Sequence, residues 1–251
     1  MTIDESELVA ALVQLHRGLE RQGPGDTAVA EGILDRLPPL PSGEPVADLG
    51  CGSGVASVVL ARRLRRPVLC VDTAETFLRE LRERAAASGV GHLVTTLCAD
   101  MGSLDPREHR FALIWSEGAA YSLTFGGALR AWRPLLVPGG VAVVSELSWF
   151  GDERPPDAVS YWSQAYPAMA AEQENVAEAE RHGFTALFTQ RLPSEAWWAG
   201  YYTPLLGRLS SHESSPSPAM RTVVAETRRE IDLFREFSDA YGYTFYVLRA
   251  S

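Results

Sequence analysis

The chain has 251 residues, 46% of them hydrophobic and 22% charged, which is the balance of a soluble globular protein with enough length for one full core. Its 32 acidic residues outnumber 23 Lys and Arg, and the net charge of −9 argues against a nucleic-acid substrate, whose phosphates need a basic face. No apolar run approaches 18 residues, so no membrane-spanning helix is expected. Cys51, Cys70 and Cys98 form no C-x-x-C and have no His at ligand spacing, which speaks against a zinc or other metal site. An odd thiol count, with an acidic start (Met1 to Glu7) that lacks a signal-peptide core, points to a reducing, cytoplasmic setting.

Residues 4–21 place Leu8, Leu12, Leu15 and Leu19 at helical spacing. Gln22-Gly23-Pro24-Gly25 breaks that helix, and a second is expected over 27–37 with Asp26 as its N-cap. A proline-rich link over 38–45 enters a buried strand, 46–49. Then come Gly50-Cys51-Gly52-Ser53-Gly54 and a helical run, 55–64. Strand, glycine turn and helix N-terminus together make a nucleotide-binding corner. The dinucleotide fingerprint would need its third glycine at position 55, where the chain has Val55; the glycine comes one residue early, at Gly54. The spacing departs from the NAD pattern and suits a ligand without a pyrophosphate. The basic run Arg62 to Arg66 falls on the following helix and reads as a solvated face.

The wording D-L-G-C-G-S-G at 48–54 resembles motif I of the class I S-adenosylmethionine (SAM) dependent methyltransferases, in which this turn holds the methionine part of SAM. R-Q-G-P-G at 21–25 is similar to a subgroup of uncharacterised bacterial small-molecule methyltransferases whose N-terminal helical cap folds over the cofactor. The resemblance implies cofactor contacts from Gln22, Gly23, Asp48, Gly50, Cys51 and Gly52, and substrate contact from Arg21.

A second strand, 68–71, ends at Asp72, about 20 residues beyond the glycine turn, where a Rossmann-type strand presents a carboxylate to ribose hydroxyls. Asp72 and Thr73 are therefore expected at the cofactor. A helix over 74–87 and a strand over 93–98 lead to Ala99-Asp100-Met101. This resembles the family's third motif, which implies that Asp100 receives the adenine amino group and Met101 covers the ring. A strand over 111–115 opens on Ser116-Glu117-Gly118-Ala119-Ala120-Tyr121, expected to face the transferred methyl group, with Ser116 and Glu117 at the cofactor. A helix over 126–136, the turn 137–140 and a strand over 141–146 follow, the L-x-P-G-G wording again resembling the family. Glu117 and Glu146 thus leave adjacent strand ends near Tyr121, and these three are the catalytic candidates, since carboxylates serve as bases and aromatic rings surround cations. The alternatives are that Glu117 only binds cofactor and that Glu146 caps a loop.

Downstream, a helix over 158–166 is expected to lay Tyr161, Trp162 and Tyr166 over the site. A helix over 172–182 and a strand over 184–189 follow, and two helices within 193–243 are joined by the loop 210–216. Trp149, Trp197 and Tyr201 are substrate-side candidates, with plain core as the alternative for the cluster 197–202. The last strand, 243–248, matches the antiparallel seventh strand of the family. The expected fold is α/β: a Rossmann-like, seven-stranded, mostly parallel sheet with helices on both faces and helical insertions. It would form one domain over 1–251, divided into a helical cap (1–40), a SAM-binding core (46–150), substrate-side helices with the sixth strand (152–242) and the last strand (243–250). The implied function is methyl transfer from SAM, giving S-adenosylhomocysteine (SAH), to N or O of a small molecule, by a monomer or homodimer without membrane contact. The alternatives are a non-catalytic SAM- or SAH-binding protein and an NAD-dependent oxidoreductase. Ser116-Glu117-Gly118-Ala119 stands where amide-methylating and base-amine-methylating enzymes carry N/D-P-P-Y, which disfavours those classes.

Overall fold

The computed structural model describes residues 3–251; Met1 and Thr2, at the start of the expected cap, lie outside the described residues. In chain order the elements are α1 (Glu5–His16), α2 (Thr27–Asp35), β1 (Val46–Leu49), α3 (Val55–Leu64), β2 (Val68–Asp72), α4 (Glu75–Ala87) and β3 (Val94–Cys98). The chain continues through β4 (Phe111–Ser116), α5 (Phe125–Trp132), β5 (Leu136–Trp149), α6 (Pro156–Ala165), β6 (Ala170–Ala171), α7 (Glu172–Arg181) and β7 (Phe184–Arg191). It closes with α8 (Ser194–Trp197), α9 (Thr203–His212), α10 (Pro218–Phe237) and β8 (Tyr241–Ala250).

The sheet runs β3-β2-β1-β4-β5-β8-β7, with the two-residue β6 added beside β5. The first five strands of that order are parallel, and β8 enters antiparallel between β5 and β7. The expected mostly parallel sheet with an antiparallel last strand is therefore present, and the short β6 makes an eighth strand. β1 and β4 are buried at every position, as befits central parallel strands covered on both faces. One face carries α2, α3, α4 and the C-terminal helices around Leu60, Trp115, Val143 and Phe245; the other carries α5 and α7 around Ile114, Trp132, Val144 and Tyr246.

Three expected elements are corrected. The first helix ends at His16 rather than near residue 21, because Arg17 leaves helical geometry and Gly18 turns with φ +76°. β5 starts at Leu136, which pairs with Phe111 of β4, and continues through Trp149, since β8 supplies antiparallel partners from Arg249 down to Tyr241 for Val141 to Trp149. Residues 194–212 form one helical segment in which Trp198–Tyr202 is a π-turn, so aromatic positions there do not keep simple α spacing. Other local signals hold. The Asp26 carboxylate accepts from Val29 N, and Ser217 does the same for Met220 N ahead of Pro218 at the start of α10.

Candidate functional site

The β1–α3 corner opens at the carboxyl end of the parallel strands, beside the switch point where β1 neighbours both β2 and β4. Gly50 takes φ +75°, and a Cβ there would stand 2.2 Å from Ala119 Cβ. Gly52 takes φ +51°, and its missing Cβ leaves room for the Gln22 amide, whose oxygen would lie 2.5 Å away. Only glycine meets both demands. Asp72 fixes the rim: Oδ2 accepts from Gly52 N at 2.9 Å and Oδ1 from Ala74 N at 2.8 Å. Each oxygen keeps a lone pair for a further donor. Burial pushes the Asp72 carboxyl above its usual range.

Asp48, 1% exposed beneath the turn, accepts from Ser57 Oγ at 2.6 Å, and burial pushes its pKa up to about 7. Cys51 lies beside it, its thiol pushed up by the same burial. Asp100 sits exposed on the loop after β3, accepting from Gly102 N at 2.8 Å and Ser103 Oγ at 3.0 Å. The neighbouring Met101 is buried, and its carbonyl accepts from Trp132 Nε1 at 3.1 Å.

The segment between α1 and α2 is clasped onto this corner. Gln22 Oε1 accepts from Ser53 N at 2.7 Å while its Nε2 donates to Leu19 O at 3.1 Å. Ser53 Oγ donates to Glu20 O at 2.8 Å, and Arg84 Nε reaches Ser53 O at 3.0 Å. Arg21 pairs with Glu117 at 3.0 Å, and the two side chains are 11% and 9% exposed. The other Glu117 oxygen accepts from Trp115 Nε1 at 2.9 Å. Gly25 leaves the space for this pair, since a Cβ there would lie 2.3 Å from the Arg21 guanidinium.

The result is a cleft of about 430 Å³ bordered by the glycine corner, the clasp, α1 and α10. It brings together Arg21, Gln22, Gly23, Asp48, Gly50, Cys51, Gly52, Asp72, Thr73, Asp100, Met101, Glu117, Tyr121 and Tyr201 from the sequence expectation. Four expected residues lie off it. The Ser116 hydroxyl bonds Leu49 O at 2.8 Å and ties β4 to β1. Glu146 is 2% exposed, with Oε1 accepting from Leu147 N and Oε2 without a partner; burial pushes its pKa up to about 8. Trp149 packs edge-on against Tyr241, and Trp197 stacks on Phe234 at 4.2 Å, so both belong to the core. Tyr161 and Trp162 also turn inward, toward α10 and Tyr241, whereas Tyr166 meets the ring of the half-exposed Tyr121 at 6.2 Å. Glu117 is placed at the site, but both its oxygens are committed, which suits positioning better than taking a proton.

The cleft also has a wall that the sequence reading left unassigned. His16 closes α1, its Nδ1 2.8 Å from Leu12 O and its Nε2 2.9 Å from the Tyr201 hydroxyl. Thr227 and Glu230 face the cleft from α10. Glu230 carries no motif, being one charge on a strongly charged helix, so no sequence signal marks it. Among the described residues there is no His, Cys, Asp and Glu group fit to hold a metal ion.

A β3-β2-β1-β4-β5-β8-β7 sheet with a glycine corner after β1 and acids after β2 and β3 defines the class I methyltransferase architecture. Residues 46–140 match the family described as "Methyltransferase domain". Over these residues the chain is similar to the class I SAM-dependent methyltransferases. It is similar to ribosomal protein L11 methyltransferase of Rhodopseudomonas palustris, 38% identical over 80 residues that make up 31% of this chain and 27% of that one. It is also similar to dimethylglycine N-methyltransferase of Parasynechococcus marenigrum, 30% identical over 115 residues, 45% and 41% of the two chains. The chain thus matches well under half the length of these curated relatives. In fold it resembles the SAM-dependent methyltransferase of Geobacter sulfurreducens, solved with SAH, at TM-score 0.79 and 19% identity over 96% of this chain and 98% of that one. The [4+2]-cyclase SpnF shares the fold at TM-score 0.74 and 18% identity, over 97% and 93%. The fold alone therefore does not fix the reaction.

Proposed function

We propose that this protein is a SAM-dependent methyltransferase that acts on nitrogen or oxygen of a small molecule, as in the bacterial subgroup whose R-Q-G-P-G wording it shares. The observation that carries this reading is the joining of two parts in one cleft. A SAM-type corner (Gly50, Gly52, Asp72, Asp100, Met101) is continuous with a second space walled by α1, Tyr121, Tyr201 and α10.

The residues fit the cofactor on chemical grounds. The Asp72 oxygens keep lone pairs for a ribose diol, Asp100 is exposed for an exocyclic amine beside apolar Met101, and the cradle at Gly50 and Gly52 has no room for a Cβ. SAM, when bound, supplies a methyl group already activated on a sulfonium. The protein's share is alignment and exclusion of water. Gln22 and Ser53 hold the cap loop shut over the corner, Arg21 and Glu117 fix each other at its edge, and Tyr121 offers its ring to the cleft. A cleft of about 430 Å³ is of the size that takes a cofactor-sized ligand, with the α1–α10 side as its approach for a compact acceptor. That volume and the chain's acidic balance favour a small molecule over a nucleic acid.

The test is incubation with SAM carrying a deuterated methyl group and a metabolite extract, read by mass spectrometry. A labelled small molecule supports the reading. Label confined to the protein fraction would overturn the acceptor class. Absence of label with SAH bound would favour a non-catalytic SAH-binding protein.

A further inference from the structure

The wall between α1 and α10 is rich in hydrogen-bond acceptors; the Thr227 and Tyr121 hydroxyls are its neutral donors, and it offers no N–H donor of a cation. Leu12 O can only accept, so His16 Nδ1 carries the proton that bonds it at 2.8 Å. His16 is 7% exposed, and burial holds its imidazole below its ordinary range, in the neutral form. Its Nε2 therefore presents a lone pair, and the Tyr201 hydroxyl donates to it at 2.9 Å. That consumes the only hydrogen on Tyr201 and leaves its oxygen lone pairs available. Further along the wall, the Tyr202 hydroxyl spends its hydrogen on Glu230 Oε1 at 2.8 Å. Among the described residues Glu230 has no ion-pair partner. Burial pushes the Glu230 carboxyl above its ordinary range, and the groups around it are phenols (Tyr121, Tyr201, Tyr202 and Tyr243), so no protein cation there offsets it. Among the described residues, Arg21 is the one guanidinium lining the cleft, and it is already taken by Glu117.

The mouth beside this wall is apolar. Val9 and Leu12 of α1 are 52% and 42% exposed, and Tyr121 is 54% exposed opposite them. Among the described residues these are three of the four exposed large hydrophobic side chains, Val159 on α6 being the other, and the three border the same cleft as Glu230.

We infer that Glu230, with Tyr201 held by His16, forms the acceptor-recognition site for an amine that carries an apolar body. An ammonium supplies both what the wall lacks, N–H donors and a positive charge, and phenol rings add cation–π attraction. A carboxylate or phosphate in the same place would meet lone pairs and an acid. The apolar substituent lies on Val9, Leu12 and Tyr121. The inference rests on the methyltransferase reading for its meaning, since the amine would be the methyl acceptor. It names Glu230 as an anchor and assigns it no step.

The test uses the full chain saturated with SAH and three probes of one shape, titrated calorimetrically: phenethylamine, 2-phenylethanol and phenylacetate. Wild-type protein should bind phenethylamine and prefer it at least tenfold over the alcohol, with the carboxylate excluded. Glu230→Gln keeps an oxygen for Tyr202 and should weaken phenethylamine by about tenfold or more while leaving its SAH affinity unchanged. Tyr201→Phe should weaken it severalfold, and Glu226→Gln, on the exposed face of α10, should change nothing. Equal binding of the three probes, no binding of the amine at millimolar concentration, or an unaltered amine affinity in Glu230→Gln would each overturn the inference. SAH binding separates the two readings. If SAH fails to bind wild type, the methyltransferase reading falls; if SAH binds and the amine preference is absent, only the acceptor assignment falls.

Discussion

Glu146→Gln should make the protein's stability less sensitive to pH, and the size of the effect follows from the burial of this one side chain. The carboxyl is 2% exposed, has one oxygen without a partner and makes no ion pair among the described residues. Burial moves its pKa from 4.5 to about 8. In the unfolded chain it ionises near the lower value, so between the two the native state holds one more proton. Its contribution is complete below about pH 4.5 and is lost as pH rises toward 8. At about 1.4 kcal/mol per unit, the loss is on the order of 3 kcal/mol at pH 7 and roughly 5 kcal/mol above pH 8. Glutamine keeps the acceptor for Leu147 N and cannot ionise. Asp48, whose pKa is raised to about 7, weakens the fold over an overlapping window, so the informative quantity is the difference between wild type and variant. Urea unfolding of ligand-free protein from pH 5 to 8 measures it. The variant's advantage should grow by roughly 1 kcal/mol per pH unit. Parallel pH profiles for the two proteins would refute the argument.

Other substitutions probe the clasp and the corner. Gly50→Ala forces a side chain into left-handed geometry 2.2 Å from Ala119 Cβ; it should cost roughly 2 kcal/mol or more in urea unfolding and reduce SAH affinity. Arg21→Met leaves the Glu117 charge buried without its partner and should destabilise by about 3 kcal/mol, with much of the loss recovered when Glu117→Gln is added. A cycle with no coupling would mean that the pair is incidental. Asp72→Asn keeps the side chain's shape but removes an acceptor from the Gly52 and Ala74 amides, so calorimetry should show SAH binding weakened about tenfold or more.

Sequence periodicity and glycine spacing were enough for the sheet because its signals are local. Val46 to Leu49 and Phe111 to Trp115 are apolar runs bounded by turn residues, and each became a central parallel strand. The corner was legible for the same reason: Gly50 and Gly52 are positions where backbone geometry admits one residue type. Aromatic residues misled. Trp149 and Trp197 carry no sequence mark that separates a pocket wall from a core: Trp149, at the end of β5 where β8 pairs with it, packs on Tyr241, and Trp197 stacks on Phe234 of α10. Glu146 was expected at the site from its strand end, yet β5 continues three residues further because β8 pairs with it. Glu230 and His16, some two hundred residues apart, border one cleft through the packing of α1 on α10, a relation no local pattern encodes.

The central claim is that the corner at Gly50 to Gly54, closed by Gln22, binds SAM. Calorimetric titration of the purified chain with SAH tests it most directly, with NADH as the comparison ligand. One-to-one SAH binding, weakened by Gln22→Ala because the contact to Ser53 N is lost, is the predicted result. Binding of NADH without SAH, or of neither, would contradict the account.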